Sequence, residues 1–267
     1  MGSNKLFALL MAAILAAAAG ARATELTGPH NNQLDGYDAL SGAYDVPADI
    51  GATPSATFNE NENDGLYADG AGTSITVEGG QFEENFTSGI EAGRGATITI
   101  TGGVFDDNGD EAVFIDYPSV ATITGGQFLN NGYGLDANAG GAITLYGGQF
   151  GGSKLTDFVS LGNLFPNGQF RQSTIDIYGA FAGLAAGQTA TLPYENSGSF
   201  FGQLENNSAA QTYTYFGAGI TLHAITTLPE PATMEFIWLA SAGLLPWRCR
   251  RGCLRLSELS GRQSISS

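Results

Sequence analysis

The chain has 267 residues, 39 of them glycine, and a formal net charge of −16 from 26 acidic and 10 basic residues. Between Thr24 and Pro231 only Arg94, Lys154 and Arg171 are basic against 24 acidic residues, which puts this body near −21. That balance argues against nucleic acid and anionic membrane surfaces as partners, because a phosphate backbone is held by lysine and arginine. Both cysteines, Cys249 and Cys253, lie near the C-terminus, so the body has no disulfide, thiol chemistry or cysteine-held metal.

Taken in chain order, Lys5 supplies a positive start, Leu6–Ala19 an apolar run, and Ala21-Arg22-Ala23 an A-x-A cleavage signal. Residues 1–23 therefore read as a signal peptide cut after Ala23, which makes the protein an exported one. Residues 24–54 show no period and are expected to form a lead-in or N-terminal cap.

A repeat follows. Gly-Gly pairs begin at 79, 102, 125 and 147, and Phe82, Phe105, Phe128 and Phe150 keep the same spacing, with Phe58 ahead of them. Three residues beyond four of these phenylalanines stand Asn61, Asn85, Asn108 and Asn131. Next come GLYAD, GIEAG, AVFID and GLDAN, starting at 65, 89, 112 and 134. Such a fixed period means a solenoid. β-Branched and aromatic residues alternate with polar ones between Gly and Asn punctuation, the pattern of short strands and turns.

Three strands in 22–24 residues fit one coil of a right-handed parallel β-helix, an all-β fold, over residues 55–181. The GIEAG-type segment is strand one, the TITI-type segment strand two, and the phenylalanine sits in strand three. Ile98, Ile100 and Phe105 should point inward and stack on their counterparts one coil away. The glycine pair marks the bend between strands two and three, where positive φ or close backbone approach is needed. The asparagines either form a hydrogen-bonded ladder or serve as turn residues that tolerate a left-handed backbone. Residues 182–227 read as further β coils or a C-terminal β cap closing an open edge.

Three groups of residues could carry chemistry. Glu83, Glu84, Asp106 and Asp107 fall at equivalent places on adjacent coils, and read either as a solvated acidic edge or as a weak calcium site. No other cofactor is implied. The late aromatics Tyr178, Phe181, Tyr194, Phe200, Phe201, Tyr213, Tyr215 and Phe216 could stack on sugars, but strand alternation favours core. A polysaccharide lyase or glycoside hydrolase of β-helix type is the alternative to a non-catalytic reading. A lyase of the pectate type needs several cations, and a hydrolase needs paired carboxylates. No catalytic residue can be assigned, and His30 and His223 stand isolated in the sequence.

Near the end, Pro229, Glu230 and Pro231 precede an apolar run from Ala232 to Trp247, and Arg248, Arg250 and Arg251 follow it. Prolines keep the first part extended, and arginines hold the last part on the cytoplasmic side. The run has 16 residues, interrupted by Glu235, where a spanning helix needs about 20. Residues 228–251 resemble the PEP-CTERM sorting signal of bacterial exported proteins; residues 252–267 extend past it as a tail. The resemblance implies an exosortase-type membrane protease as partner and transient inner-membrane insertion through the C-terminal hydrophobic helix. It further implies delivery to the outer surface or medium of a Gram-negative-type envelope, in a cell that commonly makes exopolysaccharide. The expected function is structural, adhesive or polysaccharide-associated.

Overall fold

The computed structural model describes residues 23–226 except 50, 52, 166, 167 and 208. Among these residues every regular element is a strand. The chain winds through three ladders of parallel strands, visiting each once per coil. The first ladder stacks Tyr37–Ala39, Leu66–Asp69, Ile90–Gly93, Glu111–Ile115, Tyr133–Asn138 and Thr156–Leu161. The second stacks Gly42–Val46, Thr73–Val77, Thr97–Ile100, Val120–Ile123, Ala142–Leu145 and Thr174–Phe181. The third carries the phenylalanines, from Gln81–Glu83 through Val104–Asp106 and Gln127–Leu129 to Gln149–Gly151.

Alternation within each short strand decides which side chains enter the core. Leu66, Ile90, Val113, Leu135 and Phe158 form one buried column, and Val77, Ile100, Ile123 and Leu145 another. Phe58, Phe82, Phe105, Phe128 and Phe150 stack ring on ring with centroids 4.7, 4.7, 5.1 and 4.8 Å apart. Ile98, Ile100 and Phe105 all point inward, as the alternation predicts. His30 is not isolated: its ring lies 4.9 Å from Phe58 and extends the column by one member.

The two glycines of each pair answer different demands. The second has φ between 90° and 129° in Gly80, Gly103, Gly126 and Gly148. At the first, a Cβ on Gly102 or Gly125 would collide with a carbonyl oxygen of the preceding coil, Glu78 or Thr101.

The asparagines form a ladder. Nδ2 of Asn61, Asn85 and Asn108 donates to Oδ1 of the next asparagine at 2.7, 2.8 and 2.8 Å. Nδ2 of Asn85, Asn108 and Asn131 also donates to the carbonyl oxygen of Phe58, Phe82 or Phe105 at 2.8–2.9 Å. The left-handed turn positions belong instead to the residues just before them, Glu60, Glu84, Asp107 and Asn130.

Residues 24–46 lack the repeat's landmarks, yet their strands pair in parallel with the following coil, Tyr37 with Leu66 and Val46 with Val77. At the other end the chain leaves the solenoid in an antiparallel hairpin at Asn163–Leu164 and Phe170–Arg171. It then returns to build both an antiparallel cap and one further coil. Glu195–Leu204 runs antiparallel to Gln211–Gly217, which itself pairs in parallel with Thr156–Leu161. Asp157 ties coil to cap by accepting from the backbone N–H and hydroxyl of Thr214 at 2.8 and 3.0 Å.

Candidate functional site

The acidic turn predicted from the sequence is assembled in space. Glu83, Glu84, Asp106, Asp107 and Asn130 line one solvent-open depression where the third ladder turns back toward the first. Protein donors already engage two of its carboxylates. Asn130 Nδ2 donates to Asp106 Oδ1 at 2.8 Å, and Lys154 Nζ lies 2.6 Å from Asp107 Oδ1. Desolvation raises the Glu83 carboxyl above its ordinary range, with the Asp106 and Glu84 carboxylates adding to the effect. Among the described residues no three His, Cys, Asp or Glu side chains converge closely enough to hold a metal ion.

A second acidic surface has no counterpart among the sequence-predicted residues. On the first ladder, strand register places Asp38, Tyr67, Glu91, Phe114, Asp136 and Val159 in one outward column. Carboxyls and rings thus alternate over five successive coils. Tyr67, Glu91 and Phe114 are half-buried, whereas Asp136 is 7 % exposed and its Oδ1 has no hydrogen-bond partner among the described residues. The turn leading into the ladder adds Asp64, and the first residue of Glu111–Ile115 adds Glu111. Asp64 Oδ1 accepts from Thr87 Oγ1 at 2.5 Å and from the Ser88 backbone N–H at 3.0 Å, and Ser88 Oγ donates to Glu111 Oε2 at 3.1 Å.

Crowding keeps protons on this surface. Burial, then the Glu111 and Asp116 carboxylates, push Asp136 up to about 8. Burial and the Asp110 carboxylate raise Glu111 to about 7, against the opposing Ser88 hydroxyl. Burial also raises Glu91, with Asp64, Glu111 and Asp116 contributing. Arg94 projects at the edge of this surface but is bound through both guanidinium and carboxylate arms to Asp69. Such a strip can donate hydrogen bonds from neutral carboxyls or exchange those protons for a cation.

Residues 50–150 match the family model of the right handed beta helix region. The solenoid is a right-handed β-helix. No curated protein and no solved structure matches the chain. The matched span covers the regular coils, including the acidic turn and the column from Tyr67 to Asp136.

Of the late aromatics, Phe181, Tyr213 and Tyr215 are buried and Tyr194 is exposed. Tyr178 stacks between Tyr146 and His223, with centroids at 4.7 and 4.4 Å, and His223 Nε2 lies 2.8 Å from Asp176 Oδ1. His223 therefore has partners that its isolation in the sequence does not suggest. The sorting residues Pro229, Glu230, Pro231, Arg248, Arg250 and Arg251, together with Ala21 of the cleavage signal, lie outside the described residues. Ala23 precedes the first strand, Thr24–Glu25.

Proposed function

We propose that the chain is an exported, non-catalytic β-helical protein of the cell envelope or extracellular matrix, associated with polysaccharide and sorted by an exosortase-type protease. One observation carries the non-catalytic reading. From Leu66 to Thr156 every connection between strands has only three to six residues. Catalysis on a polymer needs walls that exclude water and fix the scissile bond, and turns this short raise none beside the ladders. What remains is a stiff acidic rod, suited to contact along a polymer. The PEP motif, apolar run and arginines, in that order behind a signal peptide, support the export route.

Right-handed β-helices occur both in structural or adhesive proteins and in polysaccharide-degrading enzymes, so the fold alone does not choose. A glycoside hydrolase is the second reading, and the protons held by Glu111 and Asp136 near neutral pH favour it, because a general acid needs them. The test incubates the full chain with neutral, amino-sugar and uronate polysaccharides. Co-sedimentation measures binding, while reducing ends and unsaturated uronates measure cleavage. Binding without product supports the proposal. Product formation that is lost in Glu111→Gln or Asp136→Asn would replace it with the enzyme.

A further inference from the structure

We propose that the outward column Tyr67, Glu91, Phe114 and Asp136 is a binding strip for a linear polysaccharide bearing amino groups, laid along the axis of the solenoid. The inference deepens the polysaccharide-associated reading above and rests on it.

Spacing is the first argument. Tyr67 and Phe114 occupy the same register position two coils apart, which at the usual strand separation is about 9.6 Å. An extended sugar chain advances by a similar distance every second unit. Alternate sugars can therefore meet a ring, while the intervening unit meets Glu91. Among the described residues neither ring stacks on another aromatic side chain, in contrast to the buried phenylalanine column and the Tyr146–Tyr178–His223 stack.

Charge selects the kind of sugar. The groups facing Glu91 are Asp64, Glu111 and Asp116, together with Tyr67, beside which stand Asp69 and Arg94. Arg94 is the one cation of that set, and Asp69 already neutralises it. A uronate would meet carboxylates with no free counter-charge, whereas an ammonium group would meet several. Ammonium groups also gain from the faces of Tyr67 and Phe114.

The third argument is Asp136. It is more than nine-tenths buried on the outward side between Phe114 and Val159, and its Oδ1 has no partner. Asp116 Oδ1 is equally unpartnered. Among the described residues no cationic side chain pairs with either acid. As ammonium groups arrive, the carboxyl O–H of Glu91 or Asp136 gives its proton to solvent and the carboxylate remains as counter-ion. Where the oligomer is already ammonium before it binds, on the mildly acidic side of neutrality, binding therefore releases protons.

The experiment titrates the full chain calorimetrically with a glucosamine oligomer, its N-acetylated counterpart and an oligogalacturonate, in two buffers of different ionisation enthalpy. The glucosamine oligomer should bind best, with proton release seen as a buffer-dependent heat. Replacing both rings, Tyr67→Thr with Phe114→Thr, keeps strand-compatible residues and should weaken binding about tenfold, the scale of two exposed cation–π contacts. Glu91→Gln should reduce the proton release while leaving the thermal midpoint near that of the parent. Equal or tighter binding of the acetylated or galacturonate oligomer would overturn the strip. So would glycan binding that the ring and Glu91 variants leave unchanged, although the polysaccharide-associated reading would then stand. Absence of binding to any glycan would overturn both.

Discussion

Asn85 and Asn108, separated by 23 residues in sequence, share one Oδ1: Asn108 accepts there from both the side-chain amide and the backbone N–H of Asn85, at 2.8 and 3.2 Å. The Asn108 amide in turn serves the Phe82 carbonyl and the next asparagine. Each rung closes the hydrogen bonding of its neighbours in a place water does not reach, which is why one asparagine cannot be removed alone.

Asn108→Ala would leave the Asn85 amide and backbone N–H and the Phe82 carbonyl without these partners in the interior. The expected loss is on the order of 3 kcal/mol or more, since each buried polar group left unpaired costs about 1–3 kcal/mol. Asn61→Ala, at the open end of the ladder, should cost less, because its Oδ1 serves the part-buried N–H of Gln33. Chemical denaturation of the two variants checks the order, and equal losses would count against the ladder as a stabilising unit.

Stability should fall as pH rises. Glu111 and Asp136 have ordinary values of 4.5 and 3.8 and folded values of about 7 and about 8. Between those limits the folded chain holds more protons than the unfolded one, so raising pH favours unfolding. The contribution is complete below the ordinary values and is lost as pH passes through the folded ones. Thermal midpoints should decline from mildly acidic to mildly alkaline buffer, and Asp136→Asn should flatten the slope. A parent midpoint that rises over this interval would refute the assignment of the buried protons.

Much of this architecture is legible in the sequence because a β-helix writes its columns as a period. Phe82, Phe105 and Phe128 are the same residue type at the same place, so the core column stands out from the spacing alone. The Glu91–Phe114–Asp136 column has no such signature because its members differ in type. Only their position next to the inward Ile90, Val113 and Leu135 betrays a common outward direction. Spacing also conceals the ends. Tyr37 lies 29 residues before its partner Leu66, and Phe158 lies 57 before Tyr215, because a longer turn and an inserted cap displace the period.

Calcium should shift the thermal midpoint little or not at all. Asp106 and Asp107 are already occupied by Asn130 and Lys154, and Glu83, Glu84, Asp106 and Asp107 share an open depression. Saturable micromolar binding that disappears in Asp106→Asn with Asp107→Asn would establish a dedicated site there instead.

The sorting proposal is tested in a host with an exosortase. The parent chain should lose its C-terminal segment and reach the surface or medium. A variant with Pro229, Glu230 and Pro231 all changed to Ala should stay full-length in the inner membrane. Mass spectrometry of the surface-exposed parent decides: intact peptides from residues 252–267 would mean the tail is retained and the sorting assignment fails.

The joint between one regular coil and the next is built from the same pieces each time: a phenylalanine stack, an asparagine rung and a glycine pair. Length is therefore a free variable of this molecule. Excising residues 86–108, one period of 23, would bring Asn85 against Asn131 and Phe82 against Phe128, each pair meeting as its former neighbours did. The rod would shorten by about 4.8 Å with both ends untouched, and a duplicated coil would lengthen it by as much. Such a chain can change its reach in fixed increments while its core columns stay in register.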